Sequence, residues 1–136
     1  MKKCRGLITL CVALCFMAML VPASASSARA SDEIYLYSID VSASNGEIVT
    51  RFTVMGNVTM KQLGCQRIKI YEKNGSSWMP VANFDENDTG MSRTNALQHS
   101  NLISWSCKPG VEYRVDVTVF AENSAGRDTR SKTVYV

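Results

Sequence analysis

From Ile34 onward, apolar residues recur at every second position in short runs, and each run ends in turn-forming residues. Tyr35, Tyr37, Ile39 and Val41 share one face of the run Ile34 to Ala43. Asn45-Gly46 follows, a dipeptide that tolerates positive φ and predicts a tight hairpin. The next run, Ile48 to Met55, puts Ile48, Phe52 and Val54 on one face and Val49, Arg51 and Thr53 on the other. Gly56 to Gly64 reads as a loop. In Cys65 to Tyr71, Ile68 and Ile70 point inward and Arg67, Lys69 and Tyr71 outward.

Asn74-Gly75 predicts a second hairpin. Trp78 to Phe84 is a poorer strand, and Pro80 marks it as an edge because proline lacks a ladder donor. Asp85 to Gln98 is polar and irregular. His99 to Cys107 is a fifth strand, with Ile103 and Trp105 on one face. After Pro109-Gly110 comes the clearest alternation. Tyr113, Val115, Val117 and Val119 interleave with Arg114, Asp116, Thr118 and Phe120, the signature of a half-buried antiparallel strand. Asn123 to Gly126 turns the chain into a last strand, Thr129 to Val136. No 3.6-residue period persists past residue 30. Seven strands, with turns every 8–12 residues, predict an all-β, antiparallel β-sandwich.

The head of the chain has a different pattern. Lys2, Lys3 and Arg5 precede an almost wholly apolar run, Leu7 to Val21, and small residues follow at Pro22-Ala23-Ser24-Ala25 and Ala28-Arg29-Ala30. That order is the pattern of a secretory signal peptide. The run is shorter than the ~20 residues that span a bilayer comfortably. Cleavage is expected after Ala25 or Ala30, with Ala30 favoured because the first strand starts soon after it. The predicted organisation is a signal peptide, 1–30, and one domain, 31–136. The mature protein is expected outside the cell and meets the membrane only transiently, through the leader.

Removing the leader changes the charge. Lys2, Lys3, Arg5 and Arg29 are four of the 15 basic residues, so 11 remain against 12 acidic ones and +3 becomes −1. No basic tract survives that would suit nucleic acid or an anionic membrane surface.

Gly110-Val111-Glu112-Tyr113 and the valine alternation into Ala121-Glu122-Asn123-Ser124-Ala125-Gly126 resemble the sixth strand and following turn of fibronectin type III domains. The resemblance covers the last quarter of the chain. It implies an immunoglobulin-like sandwich, with Tyr113 as a corner tyrosine whose hydroxyl ties back to upstream backbone. Phe52 stands where that family usually has a core tryptophan. The mature chain also resembles an uncharacterised family of small secreted proteins from Gram-positive bacteria. That likeness lies in Leu63 to Glu72, in Trp78-Met79-Pro80-Val81 and in Gly126 to Arg130. It implies export and the sandwich, and no activity.

Three of the five cysteines lie in the leader, leaving Cys65 and Cys107. Export would permit a disulfide between them. Strand placement opposes it, because Cys65 starts the third strand and Cys107 ends the fifth at the other end of the fold. Parity opposes it too, since Cys107 follows inward Trp105 and Cys65 follows outward Tyr71. Two buried thiols, or pairing with another chain, are the alternatives.

Asp85, Asn87 and Thr89 place oxygens at alternate positions, with Gly90 sixth, as at the start of a calcium loop. The twelfth position is Ala96 rather than a bidentate glutamate, and a solvated turn fits the same residues. Tyr71, Trp78 and Phe120 are expected to face outward on neighbouring strands, where planar rings can stack on sugars or anchor a protein. The competing reading is that they cover the edge of the core. His99 has no neighbours at metal-ligand spacing. Arg127, Asp128 and Arg130 read as exposed polar residues after a turn.

No nucleophile, metal cluster or supported carboxylate pair stands out. The expectation is therefore a secreted, non-catalytic module without a cofactor that binds an extracellular protein, the cell wall or a glycan. A structural subunit that pairs through its edge strands is the alternative. A secreted hydrolase using scattered carboxylates is more remote.

Overall fold

A computed structural model describes residues 32–136, so the predicted signal peptide and both cleavage positions lie outside the described residues. Six strands follow in order: β1 (Ile34–Ser44), β2 (Glu47–Asn74), β3 (Ser77–Asp85), β4 (Ser92–Ser106), β5 (Tyr113–Asn123) and β6 (Gly126–Tyr135). All ladders are antiparallel, and no helix occurs among the described residues. The fold is all-β, a single curled sheet compatible with a β-sandwich.

The organising element is β2. Its first half pairs β1 on one edge and β4 on the other. Its second half pairs β5 on the β1 side and β3 on the β4 side, and β6 extends the sheet beyond β5. The expected loop at 56–64 is therefore part of one long strand. It survives as an irregularity between Met55 and Met60, where the β4 register shifts. Such a bulge bends and twists a strand without ending its pairing, which lets one strand serve both halves of the sheet. Six strands thus stand where seven were expected, because the second and third expected segments are one strand.

The bend encloses one core. Ile39, Val41, Phe52 and Val54 from the first half join Ile68, Ile70, Val115 and Val117 from the second, all buried. Tyr35 departs from the expected face and is 73% exposed, because β1 carries a bulge between Ile34 and Leu36. Tyr37 keeps the register of Ile39 and Val41, opposite Val54, but stays 44% exposed. The polar stretch before His99 also differs from expectation. β4 begins at Ser92, and Met91 is fully buried, plugging the core from the β3–β4 connection.

Gly64 makes that plug fit. Its φ is +149°, and a Cβ there would collide with the Met91 carbonyl and lie 2.7 Å from the Ser92 Cα. The close approach lets the Cys65 amide donate to the Met91 carbonyl at 2.7 Å. The first hairpin turns through Asn45 (φ 53°) and Gly46 (φ 78°), both in the left-handed region that Asn-Gly tolerates.

Candidate binding face

The outer face of β3–β2–β5–β6 collects aromatic and cationic side chains by register alone. Lys73 lies opposite Trp78, Tyr71 opposite Arg114, and Arg114 opposite Tyr135. Side chains alternate faces along a strand, so these cross-strand partners share one surface. The Arg114 guanidinium lies 4.1 Å from the Tyr71 ring centre and 5.7 Å from that of Trp78. The Trp78 and Tyr135 rings meet at 5.6 Å between centres, tilted by 54°. Lys73 Nζ approaches the Trp78 ring at 5.7 Å. Cation–π contacts of this kind contribute about 0.5–1 kcal/mol each where solvent reaches them.

Charges on this face are compensated in place. Arg114 pairs with Asp116 at 3.3 Å, and Thr133 donates to the same carboxylate at 2.8 Å. Lys73 Nζ donates to Glu112 at 2.6 Å. Arg114 Nε is the exception, a buried donor with no acceptor. Tyr135 stands 59% exposed in the cluster. The result is an apolar aromatic ridge with one unused guanidinium donor beneath it.

Two of the three expected aromatics meet here and the third does not. Phe120 is fully buried. It does point away from the main core, but Arg127 lies over its ring at 4.2 Å. Arg127 is itself fixed by Glu122 at 2.6 Å and by both Glu86 oxygens at 3.1 and 3.0 Å. Burial works against the Arg127 charge, yet the bonds to Glu86 and Glu122 outweigh it and raise its pKa. The third ring of the ridge is instead Tyr135. Its signal in the sequence was its place two residues after Thr133 on the outward register of the last strand.

Asp128 also corrects its sequence reading. It is 4% exposed, accepts the Ile34 amide at 3.2 Å, and binds Arg130. Glu33, equally buried, accepts from Asn123. The start of β1 is thus clamped to the β5–β6 hairpin through groups 90 and 94 residues away in the chain, which local pattern does not reveal.

In the 85–91 turn, the Asp85 carboxylate accepts the Asn87 amide and the Asp88 carboxylate accepts the Asp85 amide, both at 2.8 Å. These oxygens cap their own turn, and Asp85, Asn87 and Thr89 are all exposed. No group of three or more His, Cys, Asp or Glu side chains suited to a metal occurs among the described residues. His99 lies mid-strand in β4, donates from Nε2 to the Gly90 carbonyl at 2.8 Å, and packs 5.6 Å from the Phe52 ring.

Cys65 and Cys107 are both free thiols. The expected outward placement of Cys65 is overturned by a bulge between Cys65 and Arg67, which reverses its parity and buries it completely. Burial pushes its pKa up to about 12, although it donates to the Arg67 and Thr118 carbonyls. A neutral, buried thiol is a poor nucleophile. Cys107, half-buried, lines a cleft of about 360 Å³ between the Ala43–Gly46 turn and the Lys108–Val111 turn. Tyr113 forms part of its wall. The Tyr113 hydroxyl accepts the Lys108 amide at 3.0 Å and donates to Glu72 at 3.2 Å, so the tie to upstream backbone is present.

No protein-family profile matches the chain, and no curated protein matches it. Among solved structures it is similar to a superoxide reductase crystallised in the oxidised state. That likeness has a TM-score of 0.38 and 9% identity over 76% of this chain and 90% of that one. A match at that level bears on neither fold detail nor activity.

Proposed function

We propose that this chain is a secreted, non-catalytic binding module built on an immunoglobulin-like, fibronectin type III-like sandwich, and that it holds an extracellular protein or glycan on the β3–β2–β5–β6 face. The observation that carries the reading is the convergence of Tyr71, Trp78 and Tyr135 around Arg114 on one exposed surface. Rings presented this way offer flat apolar area at low conformational cost, and aromatic and Arg side chains dominate binding energy at recognition surfaces. Arg114 supports the ridge from beneath, its guanidinium 4.1 Å from the Tyr71 ring centre. Sandwich architecture by itself implies no activity, so the assignment rests on this face. Export rests on the basic, apolar and small-residue order of residues 2–30.

The test is binding of the purified protein to immobilised cell-wall fragments, mucin glycans and extracellular matrix proteins. Saturable binding that falls at least roughly tenfold in Trp78→Ala and Tyr135→Ala supports the face as the site. Binding unchanged in both folded variants refutes it.

A further inference from the structure

We infer that β4 is an assembly edge, and that two copies of this chain pair antiparallel through it about a two-fold axis at Leu102. This surface is separate from the aromatic face. A curled sheet leaves four strand edges open, and an open edge invites pairing unless something blocks it. Three of the four are blocked. β3 carries Pro80. β6 carries Arg127, Asp128, Arg130 and Lys132. On β1, Asp128 accepts the Ile34 amide and Lys132 Nζ donates to the Ile39 carbonyl at 2.9 Å, so side chains already occupy its edge.

Between Gln98 and Ser106, β4 has no such device. From Gln98 to Ser106 it contains no Pro, Gly, Lys, Arg, Asp or Glu, and its ladder to β2 runs without a break. Among the described residues its only strand pairing is with β2. The Cys107 amide donates to the Gly46 carbonyl at 2.8 Å, which fixes the phase of the ladder. Residues at even positions, Gln98, Ser100, Leu102, Ser104 and Ser106, therefore aim their N–H and C=O groups away from β2. These five also project from the outer face, opposite Met55, Thr53, Arg51, Val49 and Glu47.

That set is its own complement. Leu102 is the middle member. An axis there brings Leu102 against the second copy's Leu102, each Ser100 against a Ser104, and each Gln98 against a Ser106. No like charges oppose one another. Leu102 is 52% exposed in the single chain and is covered in the pair. Each copy brings three strands, β1, β2 and β4, and pairing joins them into one continuous six-stranded layer. An uncharged, self-complementary edge selects a second copy over a charged partner.

Sedimentation velocity of the purified protein, from micromolar to submillimolar concentration, reads the outcome. A concentration-dependent doubling of mass is expected. Leu102→Lys and Leu102→Glu, each alone, place like charges at the axis and raise the dimer dissociation constant by about tenfold or more. Mixing the two variants restores the dimer. Val81→Lys, on the β3 edge, leaves it intact. A wild-type protein that stays monomeric throughout, a Leu102→Lys variant that dimerises like wild type, or a mixture that fails to recover would each overturn the inference.

Discussion

Replacing Asp128 by alanine separates two incompatible accounts of the β5–β6 hairpin. A carboxylate exposed on a turn would contribute within about ±0.5 kcal/mol, as surface substitutions usually do. The structure instead buries Asp128 to 4% exposure, with the Ile34 amide on one oxygen and Arg130 on the other. Ile34 is itself 8% exposed. Alanine would leave its amide without an acceptor and out of reach of bulk water, a penalty of about 1–3 kcal/mol. The Arg130 contact adds less than about 1 kcal/mol, because that side chain is 35% exposed and screened. The expected loss is about 1–4 kcal/mol. Asp128→Asn keeps a carbonyl acceptor for the Ile34 amide and should lose only about 1 kcal/mol. Urea unfolding followed by tryptophan fluorescence reads both. With a denaturant slope of about 2 kcal/mol/M, the Asp128→Ala midpoint drops by roughly 0.5–2 M. An Asp128→Ala midpoint within error of wild type would refute the clamp, and so would Asp128→Asn proving the more damaging of the two.

Three further outcomes follow from buried groups. Tyr113→Phe removes the acceptor of the Lys108 amide and should cost about 1–2 kcal/mol in the same assay, with no loss of strand content by circular dichroism. Gly64→Ala should destabilise by more than about 2 kcal/mol, since the added methyl meets backbone rather than a mobile side chain, and a neutral result would exclude the close β2–β4 approach. Cys65 makes stability fall at alkaline pH. Its thiol ionises near 9 when unfolded and near 12 when folded, so the unfolded state binds fewer protons between those values. Stability is fully present below pH 9 and declines by up to about 1.4 kcal/mol per pH unit above it. Unfolding titrations from pH 8 to 11 should show that decline in wild type and a flatter profile in Cys65→Ala.

The strand inventory was largely legible because period-two alternation is a local property. Tyr113, Val115, Val117 and Val119 declare their buried face without reference to any partner, and all four are buried. Asn45-Gly46 and Pro80 were equally local, one setting positive φ and the other removing a donor. The bulges escaped this reading. One extra residue between Cys65 and Arg67 reverses every parity before it, so Cys65 moved from the expected outer face to the core. The candidate face was half legible: Tyr71 and Trp78 stood on the outward register, while Phe120 shared their parity and still vanished beneath Arg127.

The sequence by itself determined the all-β character, the turns and most of the core positions, because each depends on residue type and spacing within a few positions. Tertiary structure alone decided that β2 runs through both halves of the sheet, that Asp128 and Glu33 are buried, and that Tyr135 joins Trp78. Those outcomes depend on contacts between residues far apart in the chain, where register and bending, rather than composition, choose which side chains meet.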